Sequence, residues 1–379
     1  RILRALPQEA LAVVVVEPSL EALLFTLSRT SVFQALPQGC RICFLVEDRH
    51  ALLDEALLWT LVPMGIFPAK NLHLIVHPGQ AEAVPQLRSL GEALRKEILY
   101  RLSLLGNSPE DTLLGFRHAV LNTRRILESP SMEDLKKIFG GRSFVCVATG
   151  PSLEKNVDLL KGLENKCIIT ACDTALLPLL KRGIRPHVVT TIERPYNMYR
   201  IWVQKVLREF PEECSHILLI SQSVSYPMTA GRWPGPHMVI GKQEVPVDNW
   251  YTGSILGKNL LYSGLSVAHM NLTFAFAMGA SSVALLGQDL AYTPEGESHI
   301  AQAVTKAIEA KEKARRKFSV PAALGGTVET QEIWLVFLQI FERLLEATQK
   351  EVYDCTEGGA LIRGTIICPF REYIHAHLS

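Results

Sequence analysis

FVCVATGPSLEKNVDLLKGL, residues 144–163, is the stretch on which the fold turns. Mostly apolar residues run into Thr149-Gly150-Pro151-Ser152, and an amphipathic segment follows at once. The pattern predicts a buried strand, a sharp turn and a helix start. Gly150 permits positive φ or a close approach to a ligand, and Pro151 suits a first helical turn. Ser152 brings a hydroxyl and an amide to a helix N-terminus, where anions are favoured. The spacing is neither Gly-x-Gly-x-x-Gly nor a Walker loop. On the residues alone two readings stay open, a phosphate grip or a plain corner.

The same alternation recurs on both sides of this stretch. Downstream, KCIITA (166–171), HVVTTIE (187–193), HILLISQ (216–222) and SVALLGQD (282–289) read as buried strands with helices between them. GLSVAHMNLTFAFAMGA (264–280) reads as a strongly apolar helix feeding the last of these strands. This predicts a Rossmann-like, doubly wound α/β sheet, with ligands outside the C-terminal ends of its strands. Upstream, LAVVVVE (11–17), RICFLVE (41–47) and NLHLIVH (71–77) alternate with helical stretches at 18–36 and 51–63, which predicts a smaller α/β domain. Residues 84–139 read as mostly helical, up to Gly140-Gly141. From about position 297 the chain reads as helical, in SHIAQAVTKAIEAKEKARRKF (298–318) and TQEIWLVFLQIFERLLEAT (330–348), with the coda VYDCTEGGALIRGTIICPF (352–370). The expected division is 1–138 for the N-terminal α/β domain and its helical linker, 139–298 for the central Rossmann-like domain, and 299–379 for the helical region.

With 379 residues the chain exceeds one ordinary core, and 48% hydrophobic against 20% charged residues marks it as globular. Lys and Arg number 39 against 38 Asp and Glu, so no basic excess argues for nucleic acid as a partner. The run Lys311–Lys317, KEKARRK, is a solvated face or a clamp for an acidic substrate. Cys40 and Cys43 form a Cys-x-x-Cys without a second pair or a nearby His, so they read as core thiols and no metal site is expected. Scattered, unpatterned cysteines fit a reducing compartment, and the expected location is cytoplasmic. No apolar run is long enough to span a bilayer. The chain opens on Arg1 rather than Met, as a piece of a longer protein would.

Candidate chemistry gathers at strand ends. Asp173 and Thr174 sit where a ribose or base would be read, and equally where a helix cap would. Glu193 closes an apolar strand as a ligand-facing carboxylate or a salt-bridged end. Ser263, Gly264 and Ser266 precede the apolar helix and make another N-terminus able to meet an anion, whereas His269 one turn in reads as a satisfied core histidine. LLGQDLAYTPEGESHI (285–300) is the richest stretch. Gln288 and Asp289 end a strand, Tyr292 follows, and Ser298 and His299 precede a helix. This is an acid/base set, or a loop tied down by its own polar groups.

ATGPSLEKN (148–156), DTALLPLLKRGIRPHVVTTIE (173–193), the run from YSGLSVAH to LLGQDLAYTPEGESH, and DCTEGGALIRGT (354–365) occur in the order found in the Maf family. The chain resembles these motility-associated flagellin glycosyltransferases over about residues 140–368, and more weakly in its N-terminal region. Maf proteins share a domain with archaeal 6-hydroxymethylpterin pyrophosphokinases and are similar in fold to bacterial sialyltransferases. The resemblance implies a bacterial cytoplasmic enzyme that transfers a nonulosonic acid (pseudaminic, legionaminic or sialic type) from a CMP-sugar to Ser or Thr of flagellin, without a cofactor or metal. It implies Gly150, Pro151, Ser152 and Leu153 along the nucleotide phosphate, Asp173 and Glu193 at the nucleoside, and Ser263 with Gly264 completing the pocket. Within that reading His299 is the expected base, Asp289 orients it, and Tyr292 lies near the leaving phosphate. Two positions depart from the pattern. Sialyltransferases carry Asn where Asp173 stands, and Maf-like chains usually carry Asp where Glu193 stands. The alternatives are a Mg²⁺-dependent pterin pyrophosphokinase, with Asp173, Glu193 and Asp289 as metal ligands, and a silent flagellin adaptor.

Overall fold

The computed structural model describes residues 12–46 other than positions 18, 30, 33 and 35, and residues 108–378 other than position 302. Contacts divide the chain into two compact units, Arg1–Gly106 and Asn107–Ser379. In the first, β1 (Ala12–Glu17), α1 (Leu20–Arg29) and β2 (Arg41–Val46) form a βαβ unit with parallel strands, Ala12 opposite Arg41 and Glu17 opposite Val46. Ser19 starts α1 by accepting a hydrogen bond from the Ala22 amide at 3.2 Å. Cys40 and Cys43 are free and half-buried. The helix expected at 51–63, the strand at 71–77 and the helical residues before 108 lie outside the described residues.

The second unit opens with α2 (Pro109–Leu121), capped by Ser108, and α3 (Met132–Phe139), which begins in a Ser131–Asp134 capping box. Leu135 and Phe139 on α3 pack into the core of the sheet that follows. Among the described residues that sheet has nine strands, all parallel. In chain order they are β3 (Phe144–Val147), β4 (Ile168–Cys172), β5 (Val188–Thr191), β6 (Leu218–Gln222), β7 (His237–Lys242), β8 (Leu260–Leu261), β9 (Val283–Leu286), β12 (Val352–Asp354) and β13 (Ile366–Ile367). In space the order is β13-β12-β9-β3-β4-β5-β6-β7-β8. Parallel strands need crossovers that cover both faces, and the apolar runs of β3, β4, β5 and β9 are accordingly buried throughout.

The crossovers include α4 (Leu153–Asn156), α5 (Asp173–Lys181), α6 (Tyr196–Ile201), α7 (Val203–Glu209) and α8 (Val267–Ala277). Apolar side chains surround α8 because protein surrounds it. Phe274 meets Phe139 and Phe144 edge-on, with centroids 6.3 and 6.1 Å apart. Its polar residues are paired too. Asn271 accepts from Thr190 Oγ1 at 2.7 Å, and Thr273 Oγ1 donates to the Tyr262 carbonyl at 2.6 Å. From β3 the chain winds out through β4 to β8, then returns to the other side of β3 as β9. The order therefore reverses between β3 and β9, which opens a crevice at their C-terminal ends.

The region after 299 is only partly helical. Helices α9 (Lys306–Lys313), α10 (Glu332–Glu346) and α11 (Phe370–His377) form, but β10 (Lys317–Pro321) and β11 (Thr327–Gln331) make an antiparallel hairpin between the first two. The coda supplies β12 and β13, which extend the main sheet past β9. The helix expected from Ser298 begins only at Lys306, because Ile300 donates its amide to Thr149 and the Ala303 carbonyl accepts from Trp202 Nε1. The basic run is shared between α9 and β10. Lys313 pairs with Glu309 at 3.8 Å, Arg315 with Glu312 at 3.6 Å and Lys317 with Glu329 at 2.8 Å, as on a solvated face. Among the described residues, no helix is long and apolar enough to cross a membrane.

Candidate functional site

The strand ends at the reversal point line a cleft of about 210 Å³. Gly150 enters from the end of β3, Asp173 and Thr174 from β4, Glu193 from β5, and Gln288 and Asp289 from β9. Ser266, the N-cap of α8, and His299, in the loop before α9, complete the expected residues on its wall.

Asp289 is the knot of this arrangement. Its Oδ2 accepts from Ser152 Oγ at 2.6 Å, and its Oδ1 accepts from the Ser152 amide at 3.2 Å. The Gly150 amide donates to the Gly287 carbonyl at 2.7 Å, which ties the two strand ends together. A Cβ on residue 150 would lie 1.9 Å from Asp289 Oδ2, so only glycine fits there. The Thr-Glu-Gly-Gly segment closes the other side. Thr356 Oγ1 accepts from the Gln288 amide at 3.2 Å, and the Ala360 amide donates to the Asp289 carbonyl at 2.7 Å. Gly359, at φ 75°, passes so close that a Cβ would lie 2.4 Å from the Asp289 Cα. Next to this knot, Leu290 takes a left-handed φ of 49°. Burial, opposed by the Ser152 bonds, pushes the Asp289 carboxyl up to about 6.

The expected roles change accordingly. The hydrogen bonds of Asp289 among the described side chains go to Ser152, not to His299. The His299 Nδ1 instead pairs with Ser298 Oγ at 2.9 Å. Ser152 and Leu153 are buried, Leu153 in the hydrophobic core, and neither they nor Pro151 line the cleft. Tyr292 does not line it either. Its hydroxyl donates to the Glu312 carbonyl at 2.8 Å, and its ring packs on Trp334 at 4.8 Å with Lys317 Nζ over the face. Burial drives that phenol up to about 12. Ser263 and Gly264 are not on the cleft wall either. The Ser263 amide donates to Glu244, its hydroxyl to the Leu261 carbonyl, and the Gly264 carbonyl accepts from buried Lys242 at 2.5 Å. His269 is fully buried, accepting from the Ser266 amide at Nδ1 and lying 2.9 Å from the Phe337 carbonyl at Nε2, as a core histidine should.

The carboxylates across the cleft are poised differently. Asp173 accepts from Thr191 Oγ1 at 2.6 Å and from the Thr174 amide at 2.7 Å. Burial raises its pKa nonetheless. Glu193 is raised by burial first and by the charge of Asp173 second. The two therefore hold a proton between them more tightly than ordinary carboxylates do. His299 moves the other way, its pKa lowered by burial, so its imidazole is neutral at pH 7. Its Nε2 makes no hydrogen bond with a described residue. Its ring lies edge-on to Trp334, centroids 6.3 Å apart. Trp334 and Phe337, one turn apart on α10, and Ser298 were not expected on the cleft wall. The signal for α10 was an apolar stripe with a tryptophan at its start, which core packing explains equally well. Among the described residues, no group of three His, Cys, Asp or Glu side chains is placed to hold a metal ion.

Residues 117–295, from within α2 to the loop after β9, match the family model described as 6-hydroxymethylpterin diphosphokinase MptE-like. No curated protein matches the chain. Among solved structures, the MAf glycosyltransferase from Magnetospirillum magneticum AMB-1 is similar in fold across 94% of this chain, at a TM-score of 0.65 and 17% identity. The similarity covers 53% of that structure, so the chain spans about half its length.

Proposed function

We propose that this chain is a glycosyltransferase, moving a nonulosonic acid from its CMP ester to a Ser or Thr hydroxyl of flagellin. The observation that carries the reading is that His299 and two carboxyls of raised pKa, Asp173 and Glu193, stand on the wall of one cleft at the reversal point of the sheet. The solved structure of similar fold is a glycosyltransferase, which agrees with it.

The chemistry follows from those groups. The acceptor oxygen attacks the anomeric carbon as the bond from that carbon to the phosphate oxygen breaks, and CMP leaves with the electron pair. His299 Nε2 takes the hydroxyl proton, while Ser298 Oγ on Nδ1 fixes the ring and accepts its N–H in the imidazolium state. Asp173 and Glu193 retain a proton, which limits repulsion of the phosphate and offers it a hydrogen bond. Gly150 lines the cleft at the end of β3, with Pro151, Ser152 and Leu153 shaping the turn behind it. Asp173, Thr174 and Gln288 face the nucleoside, Ser266 borders the sugar, and Ser263 with Gly264 supports it. Tyr292 and Asp289 act through what they hold in place.

The test is transfer itself. The chain is incubated with flagellin and CMP-activated pseudaminic, legionaminic or sialic acid, and flagellin is weighed by mass spectrometry. A gain of one sugar mass supports the reading, and no gain with any of the three refutes it. A second reading, pyrophosphorylation of 6-hydroxymethylpterin, is favoured by the description of the matching family model. Thermal shift separates the two. Stabilisation by CMP alone favours transfer, and stabilisation only by ATP with Mg²⁺ favours the kinase.

A further inference from the structure

The cleft has a neighbour. Helices α6 and α7 and the segment at 303–305 enclose a second cavity of about 440 Å³. Asp173 and Thr174 line both cavities. The wall of the second carries Arg200, Lys205 and Arg208, and among its described residues Asp173 alone is acidic. Among the described residues none of the three cations has an ion-pair or hydrogen-bond partner, whereas nearby Lys181 pairs with Glu209 at 3.8 Å. Three like charges around one concavity repel one another, and an anion between them relieves that repulsion. The cavity also has a fixed wall, because Trp202 Nε1 donates to the Ala303 carbonyl at 3.0 Å. The stretch carrying Ala303 begins at His299 in the first cleft, so one segment borders both spaces.

Size points the same way. At about 210 Å³ the first cleft falls below the roughly 300–1,000 Å³ usual for a small-molecule site. A ligand that fills it and continues past Asp173 and Thr174 enters the basic cavity. We propose that the second cavity is an oxyanion subsite, holding a phosphate or carboxylate of a ligand whose remainder lies in the cleft. The identity of that ligand as a CMP-sugar rests on the function proposed above, but the subsite does not.

Calorimetric titration at low salt tests it, on wild type and on an Arg200→Gln/Lys205→Gln double variant whose unchanged melting temperature shows an intact fold. The probes are cytidine, CMP, CMP-N-acetylneuraminic acid, ATP and pyrophosphate. The variant should bind the anionic probes about tenfold more weakly, as the loss of charge-assisted hydrogen bonds predicts, and bind neutral cytidine unchanged. A loss shared by CMP and the CMP-sugar assigns the phosphate, and a loss confined to the CMP-sugar assigns the carboxylate. Weaker binding of pyrophosphate and ATP, with no binding of any cytidine compound, keeps the subsite and removes the glycosyltransferase reading. Equal anion affinities in the two proteins overturn the proposal. So does the absence of anion binding to wild type.

Discussion

Two strand-to-helix turns stand on the same edge of the sheet, and each has a carboxylate at its helix start. After β3, the carboxylate comes from elsewhere in the chain. Asp289 takes the amide and hydroxyl of Ser152, and Gly150 and Gly359 close over it. After β4, the carboxylate is the turn's own. Asp173 is held by Thr191 and by the next amide, and it lines both cavities. The first turn is a lock whose anion site is already filled by protein, and the second has its carboxyl on the wall of both cavities. A strand-to-helix turn at a reversal point is thus a ligand site only if the chain has not filled it first.

Four substitutions probe this contrast. His299→Ala, on the loop anchored to the closed turn through Thr149, should lower transfer by about 10²–10⁴-fold with little change in melting temperature. An unchanged rate would remove His299 as base. Gly150→Ala should destabilise the fold by about 3 kcal/mol through overpacking against Asp289, read as a fall in melting temperature of about 5–10 °C. A variant as stable as wild type would show that the lock is loose. Asp289→Asn tests whether the locked carboxyl is held protonated. Its pKa is raised from 3.8 to about 6 in the fold, so the stability it contributes is full below about pH 3.8 and is lost as pH rises through about 6. Asn has no such loss, so its stability relative to wild type should climb across that window, by on the order of 3 kcal/mol at most. A flat difference would mean that Asp289 is ionised throughout. Asp173→Asn should act on the open turn alone. Without the charge of Asp173, Glu193 loses its second cause of elevation, and the acidic limb of the pH–rate profile should move to lower pH. An unmoved limb would place the pair outside the reaction.

The sheet was legible because parallel strands buried on both faces read as unbroken apolar runs, and Phe144–Val147, Ile168–Cys172 and Val283–Leu286 all do. β7 was not placed in advance, since it ends on Lys242, whose burial depends on the Gly264 carbonyl and Glu244 far along the chain. The hairpin of β10 and β11 hid within charged sequence that also suits a helix. At the site, residue types at strand ends located Asp173, Glu193, Gln288 and His299 on the cleft wall. Their hydrogen-bond partners were not legible. That Asp289 answers to Ser152, and Tyr292 to a backbone carbonyl, depends on contacts between distant segments. The phosphate grip expected of Ser152 needed a free amide, and no local pattern reveals an amide claimed from over a hundred positions away.

The two glycines that press on Asp289 carry a consequence for the order of assembly. Gly150 leaves the ribosome early, Asp289 much later, and Gly359 later still. The central strands can pair before the last of these exists, but the reversal point stays unsealed until the Thr-Glu-Gly-Gly segment arrives. The cleft is therefore the slow, non-local part of the fold. A nascent chain holds a sheet well before it holds a site.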